Sequence, residues 1–237
     1  MSNEQPAVRT RGSLDAAFLT NVHDATELIL VRHGEQEIDP VSARAGDLVD
    51  PPLSERGQVQ ARLVGERFSG EHIDVVYASP LLRALHTGEQ IARHHGLTPI
   101  VDPEIREVEI FRDMPQDQTP LEYFGRQRLL GIRSRMMATQ RWDVYPNSES
   151  SFEFQRRVCN AIEGILAVHS GQRVVVACHG GVINAYLGWV LGIGKDMWFR
   201  PAHTAVNVLR ARDHVRALET INDVHHLRTY EGDVISW

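Results

Sequence analysis

Two short runs in this chain are apolar at every position, Leu28-Ile29-Leu30-Val31 and Val174-Val175-Val176-Ala177, and soon after each comes an imidazole followed by glycine, His33-Gly34 and His179-Gly180. A strand with one wet face alternates polar and apolar residues, so a run without alternation must bury both faces. That constraint sets the expected fold class: α/β, a three-layer sandwich whose mainly parallel sheet carries helices on both faces. In open sheets of this kind ligands bind beyond the carboxyl ends of the strands. Arg32-His33 and His179 are therefore expected at one crevice.

The segments between these runs supply helices and further strands. Ser54 is a good N-cap for a helix to about Phe68, with Val59, Leu63, Val64 and Phe68 as its apolar stripe. A strand over Ile73–Ala78 leads into a helix with Ser79 as N-cap and Pro80 at its first position, stopping near His95 before Gly96. Arg83 then sits in the first turn, where a cation opposes the helix dipole by a few tenths to about 1 kcal/mol. Its place makes sense beside an anion; an ordinary surface arginine is the alternative.

Further along, a short strand is expected near 99–101, and the capping box Thr119-Pro120-Leu121-Glu122 predicts a helix to about Trp142. A second box at Ser150–Glu153 opens a helix with Val158, Ala161, Ile162, Ile165 and Leu166 on one face. A helix from Val182 to about Leu191 follows the second apolar run, then strands at Ala205–Leu209 and Val215–Thr220 and a polar tail. Residues 111–147 interrupt the strand–helix alternation and are dense in arginine (Arg112, Arg126, Arg128, Arg133, Arg135, Arg141). They are expected to form a helical insertion over the crevice, a lid, or else a solvated basic face. Residues 1–25 are expected to be a flexible or loosely docked extension, and 26–237 a single domain.

Composition narrows the function classes. The net charge of −6 tells against a nucleic-acid partner, whose binding draws on Lys and Arg. No stretch approaches the roughly 20 apolar residues of a membrane span, and no signal-peptide pattern opens the chain. Two cysteines, Cys159 and Cys178, give no disulfide framework and fit a reducing, cytoplasmic setting. Cys178 lies at a strand end but is flanked by apolar residues, the usual setting of a small core residue.

Three strand exits thus bring Arg32, His33, Arg83 and His179 to one end of a sheet. Two guanidinium forks match phosphate oxygens, and a neutral imidazole is a competent nucleophile towards phosphorus near pH 7. The inferred ligand is a phosphoryl group. An alkoxide leaving group needs an acid, and the loop from Asp102 to Glu109 offers Glu107 and Glu109, with Glu104 a weaker third. Solvated loop charges are the alternative for all three. A metal site finds no ligand spacing: His33 and His179 are followed by glycines, while His94-His95 and His225-His226 are adjacent pairs that point different ways and read as surface or helix-end residues.

Four ordered motifs now carry a resemblance: Leu30-Val31-Arg32-His33-Gly34-Glu35, Pro52-Leu53-Ser54-Glu55-Arg56-Gly57, Ala78-Ser79-Pro80-Leu81-Leu82-Arg83-Ala84 and Ala177-Cys178-His179-Gly180-Gly181. Together they resemble the histidine phosphatase superfamily, the phosphoglycerate mutase-like fold, over about residues 27–222. The resemblance implies that His33 becomes phosphorylated, that Arg32, Arg83 and His179 hold the phosphate, and that no metal or other cofactor is needed. Ile105-Arg106-Glu107 matches the family's acid motif and implies Glu107 as proton donor. The family's usual glycine and Trp-Glu-Gly-like run after it is replaced here by Val108-Glu109-Ile110-Phe111-Arg112-Asp113, which keeps Glu109 as the alternative. Gln36-Glu37-Ile38-Asp39 likewise puts an acidic group where the family often has an amide, which tells against strict mutase identity.

The expected activity is a metal-independent phosphatase of the histidine acid phosphatase type, hydrolysing a small phosphomonoester through a phosphohistidine intermediate. A phosphoglycerate mutase-type phosphotransferase and a catalytically silent phosphate-binding protein are the alternatives. Expected partners are a small phosphorylated substrate, with no nucleic acid and no membrane; a homodimer is left open.

Overall fold

The computed structural model describes residues 13–20, 22–39, 42–230 and 232–237. The expected α/β sandwich is present. The described strands form one six-stranded sheet in the order β3-β2-β4-β1-β5-β6, with β1 at Thr26–Arg32, β2 at Val75–Ala78, β3 at Ile100–Val101, β4 at Arg173–Cys178, β5 at Val206–Arg212 and β6 at Val215–Asp223. The pairings β3/β2, β2/β4 and β4/β1 are parallel; β1/β5 and β5/β6 are antiparallel. The two all-apolar runs are the adjacent central strands β1 and β4, which explains why neither alternates.

Successive residues of these strands feed opposite cores. Leu28, Leu30, Val174, Val176 and Cys178 pack with α7 (Ser151–Val168) and α8 (Gly180–Leu191) through Phe154, Ile162, Ile183 and Tyr186. Ile29, Val31 and Val175 pack on the other side with Val64 and Phe68 of α3 (Glu55–Phe68) and Ile91 of α4 (Leu82–Ala92). The caps expected at Ser54 and Ser150 are both made: Ser54 Oγ accepts from Gly57 N, and Ser150 forms a full capping box with Glu153.

Several boundaries differ from expectation. Ser79 does not cap α4; the N-cap is Leu81, because Ser79 Oγ is engaged with His179 Nε2 at 2.8 Å. The helix predicted from Thr119 to Trp142 breaks at Gly125, whose φ of 73° leaves the helical region, and becomes α5 (Pro120–Phe124) and α6 (Arg126–Thr139). A short helix, α2 (Ala45–Val49), lies between β1 and α3. Of residues 1–25, Met1–Arg11 and the next residue, 12, fall outside the described residues, as does 21; the described part holds α1 (Ser13–Phe18) and buries Leu19 and Val22. The tail is not simply polar: α9 (His225–Arg228) buries His226 and Leu227, and Gln60 Nε2 holds the carbonyl of Val234 at 2.6 Å.

The first turn of α3 packs directly on the loop leaving β1. A Cβ at Gly57 would lie 1.9 Å from the carbonyl oxygen of Glu35, whereas one at Gly70 would meet no heavy atom within 4 Å. Gly57→Ala is therefore expected to cost about 1–3 kcal/mol of unfolding free energy in denaturant titrations, an overpacking cost. Gly70→Ala should stay within about 0.5 kcal/mol, the range of neutral surface changes. Equal effects would contradict the close approach.

Candidate active site

The site is built by register. Parallel pairing of β1 with β4 sets Arg32 opposite Cys178, so the next residues, His33 and His179, leave the sheet side by side with ring centroids 5.1 Å apart. Both imidazoles are buried. His33 N donates to the carbonyl of Cys178, tying the two exits together. From the neighbouring exit of β2, Arg83 enters from the first turn of α4 and lies 6% exposed, with Nε donating to His33 Nε2 at 3.3 Å.

These contacts fix the state of His33. Since Nε2 accepts from Arg83, its proton must sit on Nδ1, which donates to the carbonyl of Gly34 at 2.7 Å. Burial first, then competition with the His179 imidazole for a proton and the charges of Arg83 and Arg32, hold its pKa well below the ordinary imidazole value. The ring is thus neutral near pH 7, with its Nε2 lone pair towards the arginine. Burial and the same arginines depress His179. Its Nε2 meets Ser79 Oγ, while Nδ1 is buried without a hydrogen-bond partner among the described residues. Arg32 Nε and Arg83 Nη1 are orphaned in the same way. Buried polar atoms without a hydrogen bond are uncommon, and three on neighbouring side chains, with Asp50 Oδ1 no nearer to Arg83 Nη1 than 3.8 Å, outline a place for an anion. Burial lowers the Arg32 pKa to about 10, which still leaves it charged at neutral pH.

Of the three candidate acids, Glu107 enters the site. Its Oε2 accepts from the backbone N–H of Gly181 at 3.0 Å, and Oε1 from Val108 N at 3.0 Å. Burial raises its pKa despite these two hydrogen bonds and the attraction of Arg83 and Arg32. Glu109 instead forms ion pairs with Arg106 and Arg112 and is 40% exposed. Glu104 is exposed too. Cys178 points into the α7/α8 core, where burial pushes its thiol pKa up. Arg112, Arg126, Arg128, Arg133 and Arg135 are exposed and Arg141 is half-buried. Among the described residues no cluster of three or more His, Cys, Asp or Glu side chains could hold a metal ion.

Two neighbours of the site were not legible in the sequence. His203 is 5% exposed, with its ring centroid 5.7 Å from that of His33 and Nδ1 bonded to Ser236 Oγ at 2.8 Å. Burial holds its pKa down at about 3. It precedes β5, and only the antiparallel direction of that strand carries its start to the end where β1 and β4 finish. Ser79 was legible only as a cap.

A parallel-stranded crevice lined by a neutral imidazole, two arginines and a half-buried carboxyl defines a phosphoryl-handling α/β enzyme. A family model, the histidine phosphatase superfamily (branch 1), matches residues 28–224, and the chain belongs to that superfamily. Phosphoserine phosphatase 1 of Hydrogenobacter thermophilus is 31% identical over 205 residues, covering 85% of this chain and 94% of that protein. A probable phosphoglycerate mutase of Yersinia pestis is 31% identical over 190 residues, with coverage of 79% and 81%. Among solved structures, YhfR of Bacillus stearothermophilus superposes with a TM-score of 0.71 at 27% identity, covering 86% of this chain and all (100%) of that one.

If the orphaned donors hold an anion, inorganic phosphate at 100 times its dissociation constant should stabilise the folded protein by about 2.7 kcal/mol. A thermal-shift titration at the same phosphate concentration should give a clearly smaller shift for Arg83→Ala. Equal shifts would contradict the assignment of this arginine to the anion site.

Proposed function

We propose that this protein is a metal-independent phosphomonoester hydrolase that works through a phosphohistidine on His33, with Arg32, Arg83 and His179 holding the phosphoryl group and Glu107 as the acid. The observation that carries the reading is the neutral, tautomer-fixed His33 Nε2 facing buried, unsatisfied cationic donors.

In this reading the substrate phosphoryl group enters among Arg32, Arg83 and His179. Its oxygens are better acceptors for the Arg83 Nε–H than the imidazole at 3.3 Å, because charge-assisted bonds are shorter and roughly twice as strong. Transfer of that hydrogen bond frees the Nε2 lone pair. Nε2 attacks phosphorus as the ester P–O bond breaks, and the arginines stabilise the charge on the equatorial oxygens. Glu107 gives its proton to the leaving oxygen, releasing an alcohol. The carboxylate then takes a proton from water, whose oxygen attacks phosphorus, breaks the P–N bond and returns His33. Ser79, donating to His179 Nε2, would leave Nδ1–H as the donor to a phosphoryl oxygen.

The relatives' names include phosphoserine phosphatases, one of them the metal-independent phosphoserine phosphatase of Arabidopsis thaliana, 30% identical over 223 residues. A small phosphomonoester, phosphoserine among the first to try, fits this chain. The acid-phosphatase character follows from the two opposed shifts: a depressed His33 stays neutral well into the acid range, and a raised Glu107 keeps its proton to higher pH than an ordinary carboxyl. Two buried, unpaired cysteines fit the cytoplasm, and among the described residues no helix is long and apolar enough to cross a membrane.

The test is kcat/KM on phosphoserine, 3-phosphoglycerate, glycerol phosphate and 4-nitrophenyl phosphate, since this parameter reports the steps up to leaving-group departure. His33→Ala should abolish hydrolysis of all four; undiminished turnover would sink the reading. Glu107→Gln should slow the alkyl esters by about 10²–10⁴-fold, the worth of general acid catalysis, and the aryl ester far less. Wild-type kcat/KM should fall as pH rises through the raised Glu107 pKa, and Glu107→Gln should lose that limb. Equal slowing of alkyl and aryl esters would move the acid elsewhere.

A further inference from the structure

We infer that Arg157 and Glu149 form a positioning clamp for the Glu107 loop, so that the placement of the acid depends on a buried ion pair outside the phosphate site. The inference rests on Glu107 being the acid.

Arg157 lies on α7, and its guanidinium spends every terminal nitrogen on fixed partners. Nε and Nη2 make a bidentate pair with Glu149 at 2.9 and 2.7 Å. Nη1 donates to the carbonyl of Glu104 and, at 3.2 Å, to that of Arg106, the residue just before Glu107. Both side chains are buried, 11% and 7% exposed. On the far side of Glu107, the backbone N–H of Glu149 donates to the carbonyl of Glu109 at 2.8 Å. The acid is therefore bracketed on both sides by one ion pair and the backbone that carries it.

Other anchors leave this bracket a distinct task. Ile105, fully buried in the α7/α8 core, fixes the short turn at Pro103–Ile105, but Arg106 and Val108 are extended or irregular backbone with no ladder partner given by the sheet. Among the described residues the carboxyl group itself holds only the N–H groups of Gly181 and Val108. It also has little spare room, since a Cβ on Gly181 would lie 2.2 Å from Oε1. A planar fork with five donors is needed to hold a carboxylate and two carbonyls at once; a lysine ammonium cannot reproduce that geometry. The charge of Arg157 also adds, after burial, Arg83 and Arg32, to the depression of the His179 proton affinity.

A purely structural ion pair would alter stability and slow all substrates alike when broken. A clamp on the acid predicts discrimination by leaving group. For Arg157→Lys, kcat/KM on glycerol phosphate should fall about 10²-fold, the scale of a misplacement near 1 Å. The value on 4-nitrophenyl phosphate, whose leaving group needs little protonation, should stay within about threefold. Glu149→Gln, which keeps shape but removes the charge that orients Arg157, should show the same bias and serves if the lysine variant fails to fold. Glu107→Gln is run beside them. If it discriminates by leaving group while the folded Arg157 or Glu149 variants slow both esters equally or neither, the clamp is overturned. If Glu107→Gln itself shows no discrimination, the acid assignment fails and the clamp falls with it.

Discussion

The structure depends on an electrostatic imbalance held in place by strand register. Arg32, Arg83, His33 and His179 are brought together at three adjacent strand exits, and the acidic groups acting on Arg83 are Glu107 and Asp50, the latter 3.8 Å away. Removing a charged group from water costs several kcal/mol per ion after relaxation. The chain lowers that cost by keeping both imidazoles neutral, through the depressed proton affinities of His33 and His179. What remains is a pair of guanidinium groups with donors in excess of acceptors. A doubly negative phosphoryl group has the complementary charge and geometry.

That imbalance is preorganised because the backbone leaves it little freedom. His33 is fixed at both ring nitrogens, Thr87 Oγ1 accepts from Gly34 N at 3.1 Å, and Arg83 rises from a helix whose own N–H at Leu82 is held by Asp50 at 2.8 Å. Donors already aimed at the charge need no reorganisation at the moment of reaction, which is where electrostatic catalysis gains most. Two apolar cores on opposite faces of β1 and β4 hold the strands that carry these residues.

The legible part of this design was the part written in local chemistry. Runs without alternation exposed β1 and β4, caps at Ser54 and Ser150 exposed α3 and α7, and the residues after three strand ends exposed Arg32, His33, Arg83 and His179. What stayed hidden depended on tertiary partners. Ser79 has the right chemistry for a helix cap and is diverted to His179, a contact 100 residues away. Gly125 follows a sound capping box, yet its positive φ ends the helix that box begins. His203 reaches the site because β5 runs antiparallel, a direction no local pattern encodes. Glu107 and Glu109 differ in their partners, which lie far from them in sequence or are the loop's own arginines: one carboxyl accepts from Gly181 N in the first turn of α8, the other is drawn out by Arg106 and Arg112.

The central claim is that the phosphoryl group passes through His33, and trapping it is the most direct measurement. Rapid acid-free quenching during turnover of a phosphorus-labelled ester, followed by peptide mapping under alkaline conditions, should find an acid-labile, base-stable phosphate on the peptide containing His33 and none in His33→Ala. Label on another residue, or full turnover with no covalent phosphate at any quench time, would contradict the account.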